Sequence, residues 1–288
     1  MKKQIERIVP KAARPGMVGD GFRVFNFIPA AVEQRRISPF LMLDFNAEYD
    51  FGPSNKIRGV DVHPHKGFET VTIAYKGSVA HHDSTGNSGV INPGDVQWMT
   101  AGAGILHKEY HEEAFSKKGG PFEMVQLWVN LPKKYKSTPA HYQAITADQM
   151  GKINLPGNAG EVNVIAGALN EVKGPANTYS PVNLFDIKLK KDGELSFSVS
   201  DEHNTALLVV NGSVEVNGEK AAEHSFVLFK NDGEEIALKA EKDSVVLVLS
   251  GEPINEPIAS YGPFVMNTQA EIYEAIEDFQ AGKFGVLN

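Results

Sequence analysis

Two pairs of residues, each spaced two apart, constrain the fold of this chain more than any other feature. They are His63 with His65, and His107 with Glu109. Residues two apart on a β-strand point to the same face, so each pair presents two ligand atoms in one direction. Neighbouring strands carrying these pairs would bring three imidazoles and a carboxylate together. That donor set suits a divalent first-row metal and leaves coordination positions open. The spacing therefore predicts β-structure around a metal site.

The sequence between the two pairs has the composition of strands and turns. Residues 68–73 and 96–100 are rich in β-forming side chains, whereas residues 92–95 and 101–104 have the Gly, Pro, Asn and Asp content of tight turns. A lone His-x-His pair is common by chance and is compatible with surface or core histidines. Two such pairs, both on predicted strands, favour the metal site.

The region 58–113 resembles the pirin family. The resemblance is carried by His63-Pro-His-Lys-Gly-Phe-Glu-Thr-Val-Thr, Gly77-Ser-Val, His82-Asp-Ser-Thr-Gly-Asn, Gly94-Asp-Val-Gln-Trp-Met-Thr-Ala-Gly-Ala-Gly and His107-x-Glu109. It implies an all-β chain of two tandem cupin (jelly-roll) β-barrels. It also implies one iron in the N-terminal barrel, held at the positions that match His63, His65, His107 and Glu109.

Glu69 is a second candidate for the fourth ligand. Strict alternation would place residues 63, 65, 67 and 69 on one face, whereas the resemblance gives the fourth position to Glu109. We expect Glu109 to be the ligand and Glu69 to orient a ligand or a bound water. Either glutamate is a candidate catalytic base.

Composition narrows the class of protein. The chain has 288 residues, 42% of them hydrophobic, which suits two domains. It has no cysteine, so disulfides and thiolate metal ligands are excluded. No apolar run is long enough to span a bilayer, and the first residues do not form a signal peptide. A cytoplasmic location is expected.

Charge argues against a nucleic-acid partner. The net charge of −8 divides into +4 for residues 1–140 and −12 for residues 141–288. Ordinary solubility accounts for this division, although the first half would also attract an anionic ligand. No basic cluster with interleaved aromatic residues occurs, so direct binding of nucleic acid is not expected.

A short repeat indicates two copies of one domain. Tyr75-Lys-Gly-Ser-Val79 recurs as Val210-Asn-Gly-Ser-Val214, 135 residues later. At this offset His63 and His65 map to Ser198 and Ser200, and His107 and Glu109 correspond approximately to Ile236 and Leu238, none of which suits the site. We therefore expect one divalent metal per chain, and a second barrel without ligands.

The predicted division is an N-terminal barrel over residues 1–135 and a C-terminal barrel over residues 136–288, whose last segment packs back toward the first. Prolines and lysines at 132–139 indicate a solvated linker. Thr268 and Glu271 have the form of a capping box, and apolar residues with helical spacing follow. This pattern predicts a short C-terminal helix over 269–281, ended by Gly282.

Other residues near the predicted site are weaker candidates. His81 and His82 are adjacent, so at most one of them faces inward on a strand. His111 is expected at the surface. Three side chains are compatible either with lining an apolar pocket above the metal or with ordinary core packing: Phe68, Trp98 and Met99.

The resemblance implies a metal-dependent dioxygenase that cleaves flavonols such as quercetin with O2. Iron(II) is the expected metal, and nickel, copper, manganese, cobalt or zinc are the replacements expected in purified protein. The expected partners are a flat aromatic substrate and O2, with no membrane, and the chain is expected to be a monomer. The alternative is a non-enzymatic, iron-dependent regulatory protein that binds a transcription factor or a metabolic enzyme.

Overall fold

A computed structural model describes residues 1–287. These residues form short antiparallel strands with few helices, as predicted. The strands of residues 1–111 are β1 (Ile5–Pro10), β2 (Gly16–Val18), β3 (Phe22–Ile28), β4 (Phe40–Phe51), β5 (Gly59–His65), β6 (Phe68–Lys76), β7 (Val79–Asp83), β8 (Ser88–Ile91), β9 (Val96–Thr100) and β10 (Ile105–His111).

The strands that follow include several of only two or three residues. They are β11 (Gly120–Asn130), β12 (His141–Ile145), β13 (Gly151–Asn154), β14 (Gly160–Ala166), β15 (Ala168–Leu169), β16 (Val172–Lys173), β17 (Val182–Leu189), β18 (Glu194–Ser198), β19 (Asn204–Asn211), β20 (Val214–Val216), β21 (Glu219–Ala221), β22 (Ser225–Phe229), β23 (Glu235–Ala240), β24 (Ser244–Gly251), β25 (Ala259–Tyr261) and β26 (Phe264–Met266).

Two α-helices occur among the described residues. The C-terminal helix α2 (Gln269–Gln280) is confirmed, with the predicted capping box between Thr268 and Glu271. The sequence analysis missed α1 (Glu113–Lys118), a short helix whose first turn is capped by the side chain of Glu112. Single 3-10 turns occupy Lys133–Tyr135 and Pro156–Asn158. No described helix is long and apolar enough to cross a membrane.

The strands form two compact units, each assembled from separate segments. We call residues 14–30, 40–147 and 254–287 the histidine unit, and residues 1–13, 31–39 and 148–253 the second unit. These segments differ from the expected division at residues 135 and 136 because strand pairing groups distant parts of the chain. β1 pairs with β22 in the second unit, and β12 pairs with β9 in the histidine unit.

Each unit contains a seven-stranded and a four-stranded sheet. In the histidine unit the orders are β12-β9-β6-β11-β4-β3-β2 and β5-β10-β7-β8. In the second unit they are β1-β22-β19-β24-β17-β14-β13 and β18-β23-β20-β21. The two sets of orders correspond strand for strand, so the repeated pentapeptide marks two copies of one topology. In both copies its glycine, Gly77 or Gly212, has a positive φ in the turn that follows the strand.

The C-terminal segment belongs to the histidine unit. The backbone nitrogen of Val265 in β26 donates to the carbonyl of Lys66 at 3.0 Å, directly after β5. The Lys66 ammonium also lies 2.6 Å from a carboxylate oxygen of Asp278 in α2. The residues that follow His65 are therefore held by both elements of the C-terminal segment.

Candidate metal centre

Three histidines converge in the histidine unit. β5 and β10 pair antiparallel, with His63 opposite His107. The potential ligand nitrogens of His63, His65 and His107 all lie within 4.8 Å of one another. Their ring centroids are 4.3 to 4.8 Å apart. The structure thus brings together three of the four residues predicted as ligands.

A backbone contact selects the nitrogen of His63 that is available to a metal. Nδ1 of His63 lies 2.8 Å from the carbonyl oxygen of Asp61, and this nitrogen must carry the proton to donate to it. In the neutral ring the lone pair then resides on Nε2, which can coordinate a metal. Burial also lowers the pKa of His63 and favours this neutral form.

Burial holds the other two histidines neutral. The side chains of His65 and His107 are 4% and 1% exposed. Loss of hydration lowers the pKa of both well below its ordinary value, and the neighbouring histidines lower it further. Because a metal binds the neutral imidazole, these lowered pKa values favour metal coordination at neutral pH.

The donor atoms fit a divalent metal. Neither ring nitrogen of His107 has a hydrogen-bond partner among residues 1–287. A buried polar group without a partner is costly, and coordination would satisfy one of these nitrogens. Imidazoles with a carboxylate nearby match the preferences of iron, nickel, copper and zinc in their divalent states.

Glu109 lies close to the histidines but outside their cluster. It is not a member of the group of mutually close donor atoms found among the described residues. Its Oε1 accepts a hydrogen bond from the hydroxyl of Thr72 at 3.2 Å. Burial raises the pKa of Glu109 to about 7, against the opposing effects of Thr72 and Gln126. Its assignment as the fourth ligand stays a prediction.

The structure does not bring Glu69 to this site. Residues 69 and 72 of β6 are separated by an odd number of positions, so their side chains lie on opposite faces of the sheet. Thr72 faces Glu109, whereas Oε1 of Glu69 accepts from the hydroxyl of Thr100 at 2.7 Å on the other face. Alternation from His65 fails because Gly67, with φ of +88°, turns the chain between two strands of different sheets.

A cavity of about 390 Å³ opens beside the histidines. Most of its wall is apolar, and its lining is formed by Val18, Phe22, Val24, Met42, Asp44, Asn46, Val60, His63, His65, Glu109, Met124, Gln126, Trp128 and Pro263. A cavity of this size can hold a small aromatic molecule and exclude water from it.

The aromatic residues in this wall, Phe22 and Trp128, are not among those singled out from the sequence. Trp128 of β11 stands over Phe68 with ring centroids 4.2 Å apart, and Phe68 in turn contacts His65. Trp98 pairs with Val71, which places it on the face of the sheet that carries Glu69. None of Phe68, Trp98 and Met99 is among the residues that line the cavity.

Several polar residues of the cavity were also missed. They lie on β4 and β11, where Asp44 is the cross-strand partner of Gln126. A signal was present, because Met42, Asp44 and Asn46 alternate with apolar residues along one strand. Polar residues at every second position of an otherwise apolar strand indicate that its second face is also buried, around a polar site.

The alternation of side chains along β7 decides which way His81 and His82 face. His81 faces inward, is 7% exposed, and stacks on Tyr142 with ring centroids 5.0 Å apart. His82 faces the other way, and its Nδ1 lies 2.7 Å from the hydroxyl of Tyr110. The prediction that only one of the pair faces inward is confirmed.

The expectation of a surface position for His111 is wrong. Residue 111 follows 107 and 109 at the same spacing of two, so it shares their buried face, and its side chain is fully buried. Its Nε2 lies 2.9 Å from the carbonyl of Gly21, and its ring stacks on Phe122. Burial lowers the pKa of His111 to about 4, so it is a neutral core residue.

The reading of residues 132–139 as a solvated linker is wrong for Lys136, which is 2% exposed. Its ammonium donates to the carbonyls of Gly67 and Val265 at 2.8 and 2.9 Å, and to Oδ1 of Asn130 at 2.8 Å. Three donors meet three acceptors, so the charge is fully hydrogen-bonded. Lys136 thus ties the turn after His65 to β26.

Two units of one jelly-roll topology, with a histidine cluster in one of them, define the chain as a protein of two cupin domains. Family models agree: the pirin model matches residues 21–129, and the model of the pirin C-terminal cupin domain matches residues 184–285. The chain belongs to the pirin family. This confirms the fold class predicted from the sequence.

Individual relatives cover nearly the whole chain. A Pseudomonas aeruginosa protein provisionally named a quercetin 2,3-dioxygenase is 49% identical over 267 residues, 93% of each chain. Pirin-like protein 2 of Arabidopsis thaliana is 39% identical over 276 residues, 93% of this chain and 81% of its own. A crystal structure of quercetin 2,3-dioxygenase from Acinetobacter baumannii, 47% identical, superposes with a TM-score of 0.95 over 100% of both chains.

Proposed function

We propose that this protein is a metal-dependent dioxygenase that cleaves flavonols such as quercetin with O2. One observation carries the proposal: in a cluster of three neutral histidines, two members, His63 and His65, stand with Glu109 at the wall of a mostly apolar cavity large enough for a small aromatic ligand. The names of the Pseudomonas and Acinetobacter relatives support the same activity. The reaction would open the central heterocycle of the flavonol and release carbon monoxide.

We further propose iron(II) as the native metal. His63, His65 and His107 would hold it, with Glu109 as the fourth ligand. When bound, a divalent iron supplies Lewis acidity toward a substrate hydroxyl and a route for electrons to O2. The second unit would hold none, since β18 and β23, which correspond to β5 and β10, contain no histidine.

Glu109 would act as the general base toward the flavonol hydroxyl. In the metal-free chain burial raises the pKa of Glu109 to about 7, and a bound divalent metal would lower it, so the carboxylate would be ionised and able to accept a proton at neutral pH. Thr72 and Gln126 lie on the opposite sheet and bind its carboxylate, which fixes its direction. Trp128, Phe22 and Met42 would cover the flat faces of the substrate and exclude water.

The cavity favours catalysis over the regulatory alternative. A redox-sensing iron needs access only for O2 or an electron, whereas an enzyme needs space for the substrate beside the metal. The cavity of about 390 Å³ that contains His63, His65 and Glu109 in its wall provides such space. A cytoplasmic location and a monomeric state stay predictions.

Oxygen uptake with quercetin tests the proposal. The full chain is reconstituted with iron(II) under nitrogen and mixed with quercetin and O2, with carbon monoxide as a second readout. Uptake is expected in the wild type and should be lost in His107→Ala. His82→Ala is the matched control, because His82 faces away from the cavity and contacts Tyr110. If the protein binds one iron per chain but consumes no oxygen, the proposed dioxygenase activity is contradicted and the regulatory alternative is favoured.

A further inference from the structure

A row of polar side chains crosses the large sheet of the histidine unit, and two of its members, Asp44 and Gln126, line the cavity. Cross-strand partners in the large sheet of the histidine unit are Thr72 with Gln126, Gln126 with Asp44, and Asp44 with Asn26. This row crosses four adjacent strands, β6, β11, β4 and β3. Asn46 lies beside it, two residues beyond Asp44 on the same face of β4.

The end of this row at Thr72 contacts the proposed metal site, whereas the end at Asn26 does not. The hydroxyl of Thr72 binds Glu109, so this end supports the proposed base. Asp44 lies two strands further on, which corresponds to about 10 Å at a strand spacing of about 4.8 Å. A flat ligand that reaches the histidines at one end would therefore extend toward Asp44 and Asn46 at the other.

Asn46 has hydrogen-bonding capacity that the protein does not use. Its side chain is 1% exposed and lines the cavity. Neither its amide oxygen nor its amide nitrogen has a hydrogen-bond partner among residues 1–287. An unpaired buried amide is costly, so its retention is explained by a partner that enters the cavity. The amide can both donate to and accept from a hydroxyl group.

Asp44 offers a second group beside it. Its Oδ1 accepts from the side-chain nitrogen of Asn26 at 2.7 Å, and the described residues provide no partner for its Oδ2. The carboxyl group is 8% exposed, and its burial raises its pKa above the ordinary value. Asp44 and Asn46 thus place two hydrogen-bonding groups next to each other in a wall that is mostly apolar.

We propose that Asn46 and Asp44 determine specificity by binding the hydroxyl groups on the ring of the flavonol that is remote from the histidines. The ligand class is then a flat aromatic molecule with one hydroxyl on its central ring for the metal and at least one hydroxyl on an outer ring for this pair. The proposal rests on the proposed flavonol binding and adds the residues that select among flavonols.

Binding without turnover tests this assignment. The full chain, reconstituted with iron(II) under nitrogen, is titrated by calorimetry with three ligands. They are quercetin, galangin, whose pendant ring has no hydroxyls, and the flavonol whose fused ring has none. A hydrogen bond to a buried amide that otherwise lacks a partner corresponds to about tenfold in affinity. At least one analogue is therefore expected to bind tenfold or more weakly than quercetin.

Variants of β4 then identify the residues responsible. Asn46→Leu is expected to reduce the preference for quercetin to within about twofold, because Leu gives no hydrogen bond but nearly the same volume. Tyr49→Phe is the control on the same strand, because Tyr49 is exposed and does not line the cavity, and it is expected to keep the preference. Asp44→Asn keeps an acceptor for Asn26 and replaces only the other carboxylate oxygen, Oδ2, with an amide nitrogen. The variant should therefore keep the fold and show a preference for quercetin between those of the wild type and Asn46→Leu.

The outcomes separate the two proposals. If both analogues bind within about twofold of quercetin, or if Asn46→Leu and Asp44→Asn both retain the wild-type preference, the specificity assignment is overturned while flavonol binding stands. If none of the three flavonols binds the iron-loaded protein, the proposed function fails and the assignment fails with it. Circular dichroism shows whether each variant is folded, and Asn46→Leu is expected to be at least as stable as the wild type.

Discussion

The hydroxyl oxygen of Thr72 lies 3.2 Å from Oε1 of Glu109 and also 3.2 Å from Oε1 of Gln126. It joins the two facing sheets of the histidine unit, since Thr72 is in β6 and Glu109 is in β10. The hydroxyl has one proton, so a bond to Glu109 stabilises the ionised carboxylate and lowers its pKa. Thr72 is thereby a positioning residue for the proposed base.

Replacing Thr72 should change the pH dependence of the proposed reaction. Thr72→Val removes a donor that lowers the pKa of Glu109, so the pKa rises and the base form appears at higher pH. The acidic limb of the pH–rate profile of oxygen uptake should then move to higher pH. Thr72→Ser keeps the hydroxyl and should resemble the wild type. A limb that stays in place in Thr72→Val would contradict this role.

Glu69 should make stability depend on pH without taking part in the site. Burial raises its pKa from the ordinary 4.5 to about 7 in the folded chain. Between these two values the folded state keeps a proton that the unfolded state has lost, so the free energy of unfolding falls as pH rises. This contribution is fully present below about 4.5 and is lost as pH rises through about 7.

Urea unfolding of the metal-free protein at several pH values measures this dependence. Glu69→Gln cannot ionise, so its stability should fall less than that of the wild type, by up to about 3 kcal/mol over the range. The control is Glu113→Gln, which changes an exposed glutamate in α1 and should leave the dependence unaltered. Parallel curves for the wild type and Glu69→Gln would refute a raised pKa at this position.

Lys136 should be essential for the stability of the turn after His65. Lys136→Met leaves three buried acceptors unpaired, on Gly67, Val265 and Asn130, and is expected to cost about 3 kcal/mol or more. Lys134→Met, two residues away and exposed, should stay within about 0.5 kcal/mol. Chemical denaturation followed by circular dichroism gives both values, and similar losses in the two variants would show that the three bonds contribute little.

Gly67 should tolerate no side chain. Its φ is +88°, and a Cβ at this position would lie 2.0 Å from the carbonyl oxygen of Val265. Gly86 is a matched control, because its φ is +87° and a Cβ there would meet no atom within 4 Å. Gly86→Ala should cost only the backbone strain, about 1–2 kcal/mol.

Gly67→Ala should cost at least twice as much, because the steric clash with β26 adds to the same strain. It should also weaken iron binding, because the clash displaces the turn that follows His65. Thermal unfolding and the iron content after reconstitution measure the two effects. Equal losses of stability in Gly67→Ala and Gly86→Ala would show that β26 yields to the added methyl group.

The sequence was most informative where a local rule was sufficient. Predicting that His63, His65 and His107 converge required only the alternation of side chains along a strand, and the structure brings these three side chains together. Predicting the C-terminal helix α2 required only a capping box and apolar residues at helical spacing. Finding the repeated pentapeptide required only comparison of the chain with itself. The corresponding strand orders of the two units agree with this repeat.

Local rules failed where two strands of different sheets meet. Extending alternation from His65 placed Glu69 in the site, but Gly67 turns the chain, and Glu69 lies on the other face of β6. Lys136 looked like a solvated linker residue because two of its three acceptors, on Gly67 and Val265, come from positions far away in the sequence.

By itself, then, the sequence determined the strand pattern, the histidine spacing and the family, because each depends on residues that are near one another along the chain or on direct likeness. Only the tertiary structure decided which faces enclose the cavity and which polar residues enter it. Asp44, Asn46, Gln126 and Trp128 line the same cavity as His63 and His65 because β4 and β11 lie opposite β5 and β10 in the folded unit. Sheet pairing joins segments that are distant in sequence, and no local periodicity specifies which strands become neighbours.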